Sequence, residues 1–214
     1  MIKNIFFDLD GTITDSAEGI IGTVKFMLSE LEIAIPEEDL SWVIGPPFEE
    51  SVAKLIGDSD PKKVSHAVEI YRGKFVKEGL YQNRLYAGIE EVLKELAEKY
   101  TLFIATSKPT PQAKTVAKHF KMDQFFKEIY GSGEHGEMPE KGRILGLALE
   151  EQKLKPKECL MIGDRHHDIE GAKAHGIVPI SVSYGYGDLR EFSEAKMVVN
   201  SPAEIPASIN FALK

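Results

Sequence analysis

Cysteine is nearly missing from this chain. Cys159 is the single one in 214 residues, which excludes an intrachain disulfide. Its place in the apolar run Cys159-Leu160-Met161-Ile162 predicts a small buried hydrophobe rather than a reactive thiol. Long hydrophobic runs are missing too. Nothing approaches the length of a membrane span, and the first residues carry Lys3 without the apolar stretch of a secretory leader. Basic charge is in deficit. Lys and Arg number 26 against 34 Asp and Glu, a formal charge of −8. That balance argues against a nucleic-acid or anionic-membrane surface. Internal repeats and low-complexity tracts are absent. The expectation is a soluble protein of the reducing cytoplasm, monomer or homodimer, whose partner is a small molecule rather than a long polyanion.

What is present suits a globular chain. With 43% hydrophobic and 28% charged residues it fits one large domain, or one domain carrying an insertion, and it is long enough for a proper core. Ile5-Phe6-Phe7 reads as a buried strand. From about Asp15 to Arg84 the signals are helical. Ile20, Val24, Leu28 and Leu31 share one helical face, and Asp60-Pro61 is a cap and first-turn pair ahead of Val64, Val68, Tyr71 and Phe75. This stretch carries 13 acidic against 8 basic residues, as solvated helices do.

From Gly88 onward helices and strands alternate. Ile89, Val92, Leu93 and Leu96 mark a helix, and Leu102–Ala105 a short buried strand. Thr110-Pro111 opens a helix to about Phe120, and Glu128–Tyr130 is a weaker strand. Pro139 opens a helix carrying Ile144, Leu145, Ala148 and Leu149, followed by the strand Leu160–Ile162 and a helix from about Asp168 to His175. Val178–Val182 is a strand in which Pro179 suits an end or edge position. Met197–Val199 is a late strand and Ala203–Leu213 a final helix. The alternation predicts an α/β, doubly wound, Rossmann-like parallel sheet, with the helical block inserted after its first strand.

In such a sheet the carboxyl ends of the strands lie on one edge, where ligands bind. Asp8 and Asp10, then Gly11, follow the first strand. Two acids and a turn-forming glycine directly after buried residues read as a site for a hard cation and an anion. Thr106-Ser107-Lys108 ends the Leu102–Ala105 strand, Gly163-Asp164 ends the Leu160–Ile162 strand with Asp168 four residues on, and Lys141 falls in the first turn of the helix after Pro139. These groups should converge.

The set Asp8-Leu9-Asp10-Gly11-Thr12, Thr106, Lys141 and Gly163-Asp164-x-x-x-Asp168 resembles the haloacid dehalogenase-like superfamily, in the branch of phosphoglycolate phosphatase and its relatives. The resemblance implies a core of residues 1–14 and 85–214 with a helical cap over 15–84, acting as a lid. It implies a Mg²⁺-dependent phosphatase acting on a small phosphomonoester of the phosphoglycolate, nucleotide or sugar-phosphate type. Asp8 is then the nucleophile, giving an aspartyl-phosphate. Asp10, two residues on and on the same face, is the general acid and base. Asp8 and Asp164 are the side-chain metal ligands, and the backbone carbonyl of Asp10 joins them by the resemblance alone.

Thr106 and Ser107 would meet the phosphate, helped by backbone N–H groups near the next helix start. Lys141 is the preferred phosphate-binding lysine, on its helix position and on the resemblance, and Lys108 is the competitor because it follows Thr106 so closely; many relatives have Lys-Pro where this chain has Pro139-Glu140-Lys141-Gly142. Asp168 could ligate, reach a metal-bound water, orient the lysine, or simply cap its helix.

His166 and His167 invite a transition-metal reading, but adjacent residues rarely point the same way, so loop-surface histidines are expected. His66 and His135 have no partner pattern. Trp42 reads as packing, Phe48 as packing with a chance at specificity, and Arg72 and Arg84 as solvated surface. Three other functions share the scaffold. A phosphomutase would place a histidine soon after the first motif, and Asp15–Ile20 has none. A dehalogenase leaves Asp10 unexplained. A non-enzymatic phosphate-responsive regulator would have lost a catalytic group, and none is missing.

Overall fold

The structure, a computed structural model, describes residues 1–133, 137–138 and 140–212. Strand β1 (Asn4–Phe7) is buried throughout. It is followed by a short strand β2 (Thr14–Asp15), helices α1 (Ala17–Glu30), α2 (Phe48–Ile56) and α3 (Pro61–Phe75), and a short strand β3 (Arg84–Leu85). The chain continues through α4 (Ile89–Ala97), β4 (Thr101–Pro109), α5 (Thr110–His119), β5 (Phe126–Ser132) and α6 (Lys141–Glu151). It ends with β6 (Cys159–Gly163), α7 (His166–Ala174), β7 (Val178–Val182), β8 (Met197–Val199) and α8 (Ile205–Ala212).

The main sheet has six strands in the order β5-β4-β1-β6-β7-β8, every pair parallel. From β1 the chain goes to β4 and outward to β5, then reverses to β6 on the other side of β1. That reversal opens a crevice at the carboxyl ends of β1, β4 and β6. Alternation along β1 feeds both faces of the sheet. Ile5 and Phe7 join one core, while Phe6 joins the other, where its ring stacks on Phe103 at 5.0 Å. Cys159 is fully buried in that second core and burial pushes its thiol up to about 11, so it is the inert hydrophobe its sequence context predicts.

The helical block α1–α3 is inserted between β2 and β3, which pair antiparallel (Thr14 with Leu85, Asp15 with Arg84). The two crossings are thus zipped into one stem, closed by the Arg84–Asp15 ion pair at 2.6 Å. Inside the block, Tyr71 lies between Phe48 and Phe75, with ring centroids 4.0 and 5.1 Å away. Asp60 caps α3 as expected, its side chain accepting from the Lys62 N–H.

Several bounds differ from the sequence reading. Strand β4 runs on through Thr106–Lys108 with a register shift after Ala105, because pairing resumes at Pro109 with Ser132. Helix α7 starts at His166, so Asp168 is its third residue and Arg165 its cap. Helix α6 starts at Lys141, and the expected opening at Pro139 lies outside the described residues, as does His135. Pro179 is not on an edge, since β7 lies between β6 and β8, but it precedes the β8 register, which begins at Ile180. The final helix begins after a separate turn, Pro202–Glu204, and Leu213 lies outside the described residues.

Candidate active site

Asp8 is the first residue beyond β1. Its N–H donates to the Ile162 carbonyl, which carries the sheet register into the site, and its Oδ1 accepts from the Leu9 N–H at 2.7 Å. Gly11 then turns the chain at φ +90°, a conformation that side chains rarely adopt. A methyl group there would overlap the Asp164 carboxylate. The turn brings Thr12 against β6, where its hydroxyl donates to Asp164 Oδ1 at 3.0 Å, while the Tyr186 N–H donates to Oδ2 at 2.9 Å.

Asp168, on the first turn of α7, accepts from the Arg165 N–H at 3.1 Å through Oδ2. Its Oδ1 lies 2.8 Å from Lys141 Nζ. Asp8, Asp164 and Asp168 are all buried, and each offers a carboxylate oxygen within 4.8 Å of the others.

The two lysines divide the carboxylates between them. Lys141 Nζ donates to the Ala105 carbonyl at 2.8 Å and forms ion pairs, each at 2.8 Å, with Asp8 Oδ1 and Asp168 Oδ1. Lys108 Nζ lies 2.7 Å from Asp10 Oδ2. Asp10 Oδ1 is buried with no protein hydrogen-bond partner. Thr106 is buried beside them, its hydroxyl oxygen accepting from the Lys108 N–H at 3.3 Å.

Charge explains the strain in this arrangement. Burial pushes the Asp8 carboxyl up to about 6, with the Lys141 ammonium drawing it down and the Asp168 charge pushing it back up. Asp164 is held well above the carboxylate range by burial and then by the charges of Asp8 and Asp168. Burial alone would lower Lys141, but Asp168 and Asp8 raise it above the ordinary lysine value. Four buried carboxylates (Asp8, Asp10, Asp164 and Asp168) face two ammonium groups. One divalent cation balances that excess, and an all-oxygen donor set suits Mg²⁺.

A cavity opens on this group. Asp8, Asp10 and Lys108 form one wall, and Ile44, Phe48 and Tyr71 of the helical block the other. Thr106 and Ser107 also face it. Phe48 is therefore placed where it touches whatever fills the cavity. Arg72 lines it too, paired with Glu49 at 2.9 Å, and is not the solvated surface group expected. Arg84 is such a group, 79% exposed in its side chain. Trp42 packs under Lys54 Nζ, 4.0 Å away.

His166 and His167 are a correction. They are not loop residues but open α7, and their rings come together at a centroid distance of 3.8 Å.

Two contributors were not read from sequence. Arg165 donates to the Ile44 carbonyl of the helical block and pairs with Glu191 at 3.1 Å. The segment after β7 supplies the Tyr186 N–H to Asp164, the Tyr184 hydroxyl to the Thr12 carbonyl at 2.9 Å, and the Tyr186 hydroxyl to Asp15 at 2.8 Å. Its one signal was position, since it leaves β7 at the same edge of the sheet.

Known proteins share this architecture. A family model described as haloacid dehalogenase-like hydrolase matches residues 5–182. The chain is 40% identical over 208 residues to a 5'-nucleotidase of Pseudomonas aeruginosa, covering 96% of this chain and 91% of that one. It is 37% identical over 186 residues to the tyrosine-protein kinase PtkA of Mycobacterium tuberculosis, covering 86% of this chain and 62% of that one. The crystal structure of a predicted phosphatase from Clostridium acetobutylicum superposes with a TM-score of 0.93 at 35% identity, covering 99% of each chain.

Proposed function

The chain belongs to the haloacid dehalogenase-like hydrolase family, and on that premise we propose that it is a Mg²⁺-dependent phosphatase of small phosphomonoesters. The observation that carries this reading is the excess of buried carboxylate at the switch point of the sheet, beside a cavity walled by the helical block. A carboxylate nucleophile needs that charge offset before it can approach a phosphate. Asp8, Asp164 and the Asp10 backbone carbonyl would hold Mg²⁺, which would supply the positive charge that lets the two anions meet.

The chain's own groups do the rest. Lys141 and the Leu9 N–H hold Asp8 Oδ1, so attack on phosphorus falls to Oδ2. The phosphorus–ester bond breaks as the Asp8 acyl phosphate forms, and Asp10 gives its proton to the leaving alkoxide. Asp10 then takes a proton from the water that attacks phosphorus, which frees Asp8 and inorganic phosphate. Asp168, with one oxygen on Lys141 and the other on the α7 backbone, orients the lysine. Lys108, Thr106 and Ser107 face the cavity and meet the phosphate oxygens, and substrate binding draws Lys108 away from Asp10.

Residues 15–84 form the cap over a core of 1–14 and 85–214, and the stem of β2 and β3 is its hinge. The cap wall of Ile44, Phe48 and Tyr71 suits a leaving group with a planar or apolar part, in keeping with the nucleotidase relative. No described helix is long and apolar enough to cross a membrane, and a small metabolite of the cytoplasm is the substrate we propose.

The test is a Mg²⁺-supplemented screen of nucleoside 5'-monophosphates, sugar phosphates, phosphoglycolate and pyrophosphate with wild type and Asp8→Asn. Wild type turns over at least one of them, and Asp8→Asn loses about a thousandfold or more. Equal turnover by the two proteins removes Asp8 as nucleophile.

A further inference from the structure

Helix α7 carries a second cluster of ligating side chains, separate from the aspartates. Its residues line no part of the Asp8 cavity. We propose that His166, His167 and Glu170 bind a late first-row divalent cation such as Zn²⁺, Ni²⁺ or Cu²⁺.

Four observations carry it. Each of the three residues offers a ligand atom within 4.8 Å of the others. The two rings stand at a centroid distance of 3.8 Å although their residues are neighbours in the chain. Glu191 Oε2 lies 2.6 Å from His166 Nδ1 and also accepts the His166 backbone N–H at 2.9 Å, so the residue is held at two points. A carboxylate only accepts, which puts the ring proton on Nδ1 and leaves the Nε2 lone pair for a metal. This is the carboxylate–histidine pairing that orients metal-bound imidazoles. Lastly, the site opens to solvent: the His166 side chain is 38% exposed and Glu170 is exposed, so water can complete the coordination.

The donor set decides which ion. Two imidazoles and a carboxylate favour zinc, nickel and copper, whereas Mg²⁺ keeps to oxygen and does not compete. The positive end of α7 and the Arg165 guanidinium oppose a cation here. Glu170 and Glu191 lie on the same side and offset them.

Copper spectroscopy tests this on the whole protein in excess Mg²⁺. Electron paramagnetic resonance of added Cu²⁺ is expected to show nitrogen splitting from two imidazoles, with one tight ion per chain for which Zn²⁺ competes only in large excess. His167→Ala should reduce the splitting to one nitrogen and weaken binding. Glu191→Gln should weaken it about tenfold, as loss of an orienting partner does. Glu170→Gln alters an exposed carboxylate and keeps the test decisive if His167→Ala misfolds, since it too must weaken binding. Turnover of a phosphoester with Mg²⁺ should be unchanged in Glu170→Gln. A copper signal without nitrogen splitting, which puts the ion among the aspartates, overturns the proposal. So does nitrogen splitting identical in wild type and His167→Ala, which puts the ion on another histidine, or no tight binding at all.

Discussion

At the scale of single residues, the carboxylates of this site are held in a state they would not choose alone. Asp8 sits near 6 in the folded protein against an ordinary 3.8, because burial outweighs the help it gets from Lys141. A raised carboxyl means the folded state holds more protons than the unfolded one between those values. The stability it contributes is complete below about 3.8 and lost as pH rises through about 6. The linkage is worth about 2–3 kcal/mol at most. Metal-free wild type should therefore lose stability relative to Asp8→Asn as pH rises from about 4 to about 7. Urea unfolding of both proteins with a chelator checks this, and a gap between them that stays constant with pH refutes it. The pairing of Lys108 with Asp10 and Lys141 with Asp8 and Asp168 also belongs to this scale. The sequence offered the two lysines as rivals for one job. The structure employs both, on different acids.

Among elements, what matters is how strand ends are turned and braced. The turn after β1 works because Gly11 has no side chain: at φ +90° it leaves room for the Asp164 carboxylate from the end of β6. Gly11→Ala should cost about 1–3 kcal/mol through backbone strain. It should also raise the Mg²⁺ concentration needed for half-maximal activity, because the added methyl displaces the Asp164 carboxylate, a metal ligand in the function we propose. Gly57→Ala is the matched comparison. That residue also has positive φ, at +66°, but nothing lies within 4 Å of a Cβ there. It should lose stability only, and equal shifts in Mg²⁺ requirement for the two variants would contradict the packing argument. Most elements were legible at this scale, because buried runs and helical stripes have their own periods. The extension of β4 through Lys108 was not, since polar residues at a bulge carry no period. Nor was the start of α7 at His166, where the cap is Arg165, a residue type that sequence rules do not expect there.

For the whole molecule, the question is how the inserted block stays over the site. Two polar links contribute. The Asp15–Arg84 stem joins the crossings, and Arg165 ties the Ile44 carbonyl to Glu191 of the core. Arg165 adjoins Asp164, so the contact to the block and the proposed metal site share one short segment. Arg165→Ala should raise KM about tenfold, the equivalent of about 1.4 kcal/mol of lost closing contact, with a smaller change in kcat. Steady-state kinetics with Mg²⁺ reads the difference. A collapse of kcat at unchanged KM would put Arg165 on the reacting phosphate instead.

From the order of residues alone came the layers of the sheet, the inserted helices, and the acids and lysines that would gather at one edge. Those follow from local period and from the rule that parallel strands share a polarity. Which acid meets which lysine, the bracing of Asp164 by Thr12 and Tyr186, and the joining of the two histidines came only with tertiary structure. For the acid–lysine pairs and the bracing of Asp164, the reason is distance along the chain. Lys108 and Asp10 are separated by 98 residues, and Thr12 and Asp164 by 152. No local pattern constrains such pairs. They are chosen when burial forces every charged group at the sheet edge to find a partner.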